Sequence, residues 1–291
     1  MQEKILPAHR NDPINWSMSL FIILMHIGAV AAFFDFSWAA LGVAYLLAWI
    51  VGGLGIGVGY HRMLSHRAFE APKPVEYFLT ICGALALQGG PIAWAAKHRM
   101  HHTHTETTED PHSPRHGLWW SHFGWIMQGK SDNREVESLM RYVPDLASDR
   151  FHLWISKWNF VPQLVLIAIL YWAGGWQFIL WGFFARVVYT WHVAFLVNSV
   201  GHVWGSRRFE TADDSTNNWW LSLLNGGEGW GNNHHAYPMS ARHAMAWYEF
   251  DGDYYLIWIL RKLGLVRKVR VARLQKKSTG SEANEAVIET A

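Results

Sequence analysis

The segment VEYFLTICGALALQGGPIAWA, residues 75–95, decides how this chain is folded. It is apolar and matches the roughly 20 residues that a bilayer crossing requires. Yet Glu76 stands near its start, and Gln88, Gly89, Gly90 and Pro91 interrupt its second half. The histidines on either side settle its reading. His61 and His66 precede it in HRMLSH, and His98, His101 and His102 follow it in HRMHH. A single crossing would leave the two groups on opposite faces of a membrane. An interfacial or re-entrant helix keeps them on one face, and that is the expectation here.

Outward from this segment, Ser17–Phe34 and Trp38–Val58 are apolar runs of spanning length joined by the short FDFS connection, so they read as a hairpin that returns the chain to its starting side. The GGLGIGVG stretch within the second run allows close helix packing. Val161–Phe184 and Val187–Val203 read as a third and a fourth span, separated by little more than Arg186. The predicted fold is an all-α integral membrane protein with four transmembrane helices and a helical cytoplasmic cap. Residues 1–16 form a cytoplasmic lead-in without the pattern of a signal peptide, and 17–277 the membrane domain, with spans near 17–34, 38–58, 161–184 and 187–203. The cap comprises 59–160 and 206–277, and 278–291 is a polar tail expected to be disordered. No internal repeat is visible.

Composition agrees with this division. Hydrophobic residues make up 51% of the 291-residue chain and charged residues only 16%, against roughly 25% charged in soluble domains. The 19 tryptophans suit a membrane–water boundary. A net charge of +2 without a dense basic patch gives no case for nucleic-acid binding, and the Lys and Arg residues from Arg261 to Lys277 suit a cytoplasmic segment. The one cysteine, Cys82, excludes an internal disulfide and a thiolate cluster.

Histidine is the unusual residue, with 17 copies. On a helix, His98, His101 and His102 share a face and form an edge of ligands. His61 and His66 stand five apart, about 140° around an ideal α-helix, a spacing suited to flanking a metal pair rather than to binding one ion. Asn198 and His202, in FLVNSVGH, are four apart near the end of the last span, and His234 and His235 end the run GEGWGNNHH. Eight histidines and Asn198 exceed the needs of one ion, which argues for two. The absence of His-Glu-x-x-His argues against a zinc protease. His26 and His192, alone in apolar helices, read as hydrogen-bonded core, and His9, His104, His112, His116, His122, His152 and His243 as surface or supporting residues.

Four segments, HRMLSHRAFE, QGGPIAWAAKHRMHHTHTETTEDPHSPRHGLWWSH, FLVNSVGHVWG and NNWWLSLLNGGEGWGNNHHAYPMSARHAMAWYEFD, together resemble the membrane-bound fatty-acid desaturases, particularly the delta-9 acyl-CoA or acyl-lipid type. The resemblance runs from about Gly59 to Tyr255. It implies that His61, His66, His98, His101, His102, His202, His234 and His235 bind two Fe2+ ions, with Asn198 acting through a water. It also implies O2 as co-substrate, a narrow acyl channel, a bacterial inner-membrane location and a cytoplasmic active site. Gln88, Gly90 and Trp94 are the candidates to line that channel. The substrate would be a fatty-acyl chain linked to CoA or lipid. Electrons would come from a ferredoxin, rubredoxin or cytochrome b5-like donor, because the chain carries no haem, dinucleotide or cysteine-cluster motif of its own.

Two departures stand out. The family's final box is His-x-x-His-His, whereas Gly231 holds its first position here, leaving a gap for a water, Asn232 or Asn233 to fill. Ala96 and Lys97 replace the Arg-Asp pair of animal acyl-CoA desaturases, so the acyl carrier stays open, with Lys97, Arg99, Arg62 and Arg67 as cations that could meet a phosphate or simply form a solvated rim. The rival functions are a hydroxylase using the same metals and a non-catalytic metal- or lipid-binding membrane protein.

Overall fold

The computed structural model describes residues 13–128, 139–274 and 286–290. Most of the expected 1–16 lead-in and all of the SDNRE stretch lie outside the described residues. The protein is mostly helical. α1 (Trp16–Ala32) begins where the Asn15 side chain accepts from Met18 N, and α2 (Trp38–Trp49) where Ser37 Oγ accepts from Ala40 N. Without a break α2 widens into a π-type helix, Ile50–Ser65. Here backbone bonds reach five residues back, as from His66 N to His61 O at 3.1 Å. Gly55 of this helix lies so close to the backbone of Cys82 that an added Cβ would sit 2.5 Å from it, so only glycine permits the approach.

The deciding segment 75–95 is two helices, α3 (Lys73–Ala84) and α4 (Pro91–His104). They meet at a turn in which Leu87 takes a positive φ of 53°. The π-type helix, α3, α4 and a later helix, α10 (Gly252–Lys262), enclose a core that includes Val58, Tyr60, Leu79, Ile92 and Ile257. Between α4 and α10 come α5 (Arg150–Lys157), α6 (Val161–Ile179), a short wide segment Leu180–Ala185, α7 (Arg186–Ser199), α8 (Trp219–Asn225) and α9 (Gly231–Ala236).

The junction expected at Arg186 lies elsewhere. The helix runs straight through Arg186, whose buried guanidinium donates to Gly182 O, Leu85 O and Gln163 Oε1. The break falls instead at Gly174 and Gly175, where Gly175 has φ +63° and ψ −150°, a conformation open chiefly to glycine. That break faces the α1–α2 connection: Ser37 Oγ meets Gln177 Oε1 at 2.7 Å, and Trp181 Nε1 donates to Asp35 O at 2.9 Å. Phe34, Trp38, Trp172 and Trp176 stand exposed around this end, as an interfacial aromatic belt does.

Among the described residues, two helices are long and apolar enough to cross a bilayer, Trp38–Ser65 and Val161–His202. Their mean hydropathies are 2.0 and 1.7, yet only 28% and 17% of the apolar windows are buried within the protein. Such helices need an apolar solvent outside the chain, and α1 shows the same exposure at Leu20, Ile23, Leu24 and Ile27. The molecule is a membrane protein.

The structure also contains β-strands. β1 (Arg270–Leu274) pairs antiparallel with β2 (Ala286–Thr290), Arg270 opposite Thr290. The second half of the tail expected to be disordered is therefore a strand, its AVIET sequence rich in the β-branched residues that favour pairing. Residues 278–285 lie outside the described set.

Candidate metal centre

The π-type helix, α4, the turn after α7 and the short α9 bring the histidines of all four segments together at the end of the molecule opposite the aromatic belt. They form two groups. In the first, His61, His66, His98, His102 and His234 place their ligand atoms within 4.8 Å of one another; in the second, His101, His202 and His235 do so.

His61 and His66, whose α-helical spacing suits flanking a metal pair, fall within one group. In a π-type helix, positions five apart come back to the same face, so their rings lie 4.9 Å apart within one group. The shared face of α4 is also divided, His98 and His102 going to the first group and His101 to the second.

Contacts within the first group are close: His66 Nε2 to His98 Nε2 at 2.7 Å, His98 to His102 at 3.1 Å, His102 to His234 at 3.0 Å and His234 to His61 at 3.0 Å. About 3 Å is the spacing of neighbouring ligands around an ion with metal–nitrogen bonds of about 2.1 Å. Lone pairs do not bond to one another, but they can share a cation.

Carboxylates fix which nitrogen faces inward. His61 Nδ1 meets Glu228 Oε2 at 2.5 Å, His101 Nδ1 meets Asp110 at 3.0 Å, His202 Nδ1 meets Glu106 at 2.6 Å and His235 Nδ1 meets Asp213 at 3.1 Å. Each acid keeps the Nδ1 proton in place and leaves Nε2 free as a donor to a metal. Burial, reinforced by neighbouring imidazoles, holds His98, His102 and His234 well below the usual histidine range, and burial brings His235 down to about 4. These four imidazoles are thus neutral and rich in lone pairs, whereas at His202, where burial would lower the pKa, the bond to Glu106 raises it. Burial alone would raise Asp110 and Asp213, yet His101 and His235 respectively hold them low.

Glu228 is itself held by Arg62, a buried residue whose guanidinium also meets Asp251 at 2.8 Å. His243 extends this network, its ring 4.4 Å from that of His234, and His112 stacks beside His101 at 4.5 Å. These two histidines take the supporting positions allowed for them from sequence, whereas the four carboxylates were missed as members of the site. The signal available was their position: TETTED, TADDS and GEG all place acids beside a histidine box in the polar cap.

Asn198, half-buried, lines a void of about 40 Å³ together with His61, His98, His101, His202, Gly231, His234 and His235. Asn198 and His98 also line a second and much larger cavity of about 780 Å³, whose wall includes Ile22, Trp191 and Phe195. The three channel candidates, Gln88, Gly90 and Trp94, lie in the same wall, with Trp94 stacked on His98 and donating to Gln88 Oε1 at 3.1 Å. The donor set fits metal ions: clustered neutral imidazoles, carboxylate partners and no thiolate, a combination suited to divalent iron among first-row metals.

Fold and site together define a membrane protein whose apolar cavity adjoins a histidine cage able to hold metal ions. Comparison with known proteins gives the family. The fatty acid desaturase family model matches residues 36–263. The chain is 46% identical over 261 residues to the sn-1 stearoyl-lipid 9-desaturase of Anabaena variabilis, covering 89% of this chain and 95% of that protein. It is 42% identical over 267 residues to the sn-2 palmitoyl-lipid 9-desaturase of Nostoc sp. (strain 36), covering 91% and 94%. It is also 43% identical over 261 residues to the sn-1 stearoyl-lipid 9-desaturase of Synechocystis, covering 88% and 80%. The chain belongs to the fatty acid desaturase family and is an oxidoreductase that desaturates fatty acids.

Proposed function

We propose that this chain introduces a delta-9 double bond into a saturated acyl chain, stearoyl or palmitoyl, held in the 780 Å³ cavity. The observation that carries this reading is that His98 and Asn198 line both that apolar cavity and the void between the imidazole groups. His61, His66, His98, His102 and His234 would hold one ferrous ion, and His101, His202 and His235 a second, with Asn198 reaching the latter through a water. Such ions, when bound, supply the oxygen reduction and C–H oxidation that no amino-acid side chain offers. Overall, two neighbouring acyl hydrogens, one O2, two external electrons and two protons yield the alkene and two waters.

The protein's own part is to prepare the site. Glu228, Asp110, Glu106 and Asp213 keep the Nδ1 protons of their histidines in place, so the ligating nitrogens are set in advance. Ile22, Phe123, Trp191 and Phe195 exclude water from the hydrocarbon, and Trp94 fixes the His98 ring by stacking. Electrons come from a separate ferredoxin, rubredoxin or cytochrome b5-like donor.

The topology belongs to the same reading. The chain crosses four times, the first two crossings near the ranges read from sequence and the third and fourth meeting at Gly174–Gly175, and the cage faces the cytoplasm of a bacterial inner membrane. Support comes from the polar Asp35–Gln177 contacts gathered at the end remote from the histidines.

Expression in a host without desaturase activity, followed by fatty-acid profiling, tests the function. A product two mass units lighter than its parent acid is expected, and it should vanish in His98→Ala. A product gaining one oxygen would overturn the reading in favour of hydroxylation.

A further inference from the structure

The acyl cavity has an uneven charge. Its described wall contains two ammonium groups, Lys97 and Lys157, and no aspartate or glutamate. Lys157 is exposed on α5, with its Nζ 5.6 Å from the Trp158 ring centroid. Lys97 is half-buried on α4, one residue before His98. Its Nζ lies 5.5 Å from the centroid of the Trp125 ring, and among the described residues no hydrogen bond or ion pair reaches it.

The other cations near the second histidine box are already committed. Arg62 is bound to Glu228, Asp251 and Ala241 O. Arg67 pairs with Asp145, and Arg99 is bound to Asp145, Leu64 O, Ser65 O and Tyr142 O. Of the four candidates, Lys97 lines the cavity and meets no counter-charge among the described residues. The same wall holds two further donors without partners, Gln88 Nε2 and Trp125 Nε1. A cavity whose apolar part suits a hydrocarbon therefore has a polar part with surplus donors and, among the described residues, no acid. An anion placed there would pair with the ammonium and satisfy those donors.

We propose that Lys97 is the seat of a phosphate carried by the acyl substrate, so that the enzyme selects a phosphate-bearing acyl carrier over a neutral glycolipid. The proposal rests on the reading of this cavity as the acyl channel. A phosphate offers several acceptor oxygens to the ammonium and to the free donors beside it. The phosphate of a phospholipid headgroup and that of CoA share this chemistry, and the experiment separates them.

The full-length protein in nanodiscs is titrated with three stearoyl probes, stearoyl-CoA, stearoyl-phosphatidylglycerol and stearoyl-monogalactosyldiacylglycerol, with tryptophan fluorescence as the readout. Lys97→Gln should raise Kd for a phosphate-bearing probe by about 10- to 100-fold, the range for a lost charge-assisted hydrogen bond, and leave the galactolipid Kd unchanged. Lys97→Arg should restore most of the loss. A shift confined to phosphatidylglycerol identifies the headgroup as the source, and one confined to stearoyl-CoA identifies CoA; either supports the proposal. Equal shifts for the neutral and charged probes, or no shift for both charged ones, overturn it while leaving the channel reading intact. Failure of the wild-type protein to bind any of the three overturns the channel reading as well. Unchanged galactolipid binding shows in the same titration that each variant is folded.

Discussion

Replacing Gly231 by histidine tests the asymmetry of the cage. The first group offers five imidazoles and the second only three, and Gly231 lines the void beside that second group. A Cβ built at this position lies 2.9 Å from Thr216 O, 3.7 Å from Gly201 O and 3.9 Å from Ser215 Cβ. The Thr216 carbonyl must yield by a few tenths of an ångström, and it already accepts from Asn232 N at 3.1 Å. That clash with a backbone atom costs roughly 1–3 kcal/mol and should lower the unfolding temperature of the metal-free protein. Against it stands one further imidazole. Loss of a mere supporting partner costs a metal site 10- to 100-fold in affinity, so an added ligand should strengthen the second site by at least about 10-fold, or about 1.4 kcal/mol. The assay is iron per protein by mass spectrometry during stepwise chelator challenge. Gly231→His should retain its second iron at chelator concentrations that strip the wild type, and its unfolding temperature should rise on iron loading more than that of wild type. Gly231→Ala controls for the Cβ alone. Identical iron retention in all three proteins would refute the claim that a missing ligand weakens the second group.

Two further outcomes follow from contacts around the site and the cap. Glu106→Gln keeps the size of a buried side chain but removes the carboxylate that meets His202 Nδ1 at 2.6 Å, so iron affinity should fall 10- to 100-fold while the binding of stearoyl lipid stays unchanged; an unaltered chelator titration would contradict it. Asp149 caps α5 and meets Lys73 Nζ at 2.7 Å. Although burial would raise its carboxyl, the bonds from Lys73, His152 N and Tyr77 bring it down to about 2. A depressed acid stabilises the fold above its ordinary pKa of about 4, and that contribution is lost as pH falls from about 4 to 2. Asp149→Asn should therefore melt below wild type at pH 5, with the gap closing by pH 2; a gap constant across that window would be inconsistent with the depressed carboxyl.

Legibility in the sequence differed by feature. The turn within residues 75–95 could be read because Gln88, Gly89, Gly90 and Pro91 break the apolar pattern locally, and the structure places its bend at residues 85–90. The break between the last two helices was misplaced because Arg186 looks like a boundary in an apolar run, whereas a buried arginine is stable once Gly182 O, Leu85 O and Gln163 accept from it. Those acceptors come from distant segments, and no local pattern reports them. The strand at 286–290 was hidden for a related reason, since a short polar tail becomes ordered only through the partner it meets at 270–274.

By itself the sequence determined which side chains could hold a metal. Histidine clusters set in an apolar, cysteine-poor chain leave imidazole as the candidate ligand and a membrane as the surroundings, and both follow from residue type and local order. The tertiary structure alone decided how those imidazoles are grouped. Winding a helix at five residues per bond instead of four turns His61 and His66 onto one face, and the contacts made across the cap send His98 and His102 toward His234 and His101 toward His235. It also chose the acids that hold the rings, because Glu228 reaches His61, and Glu106 reaches His202, across more than ninety residues of chain. Contacts of that length depend on which elements pack together, a choice made by the whole buried core rather than by any stretch of neighbours.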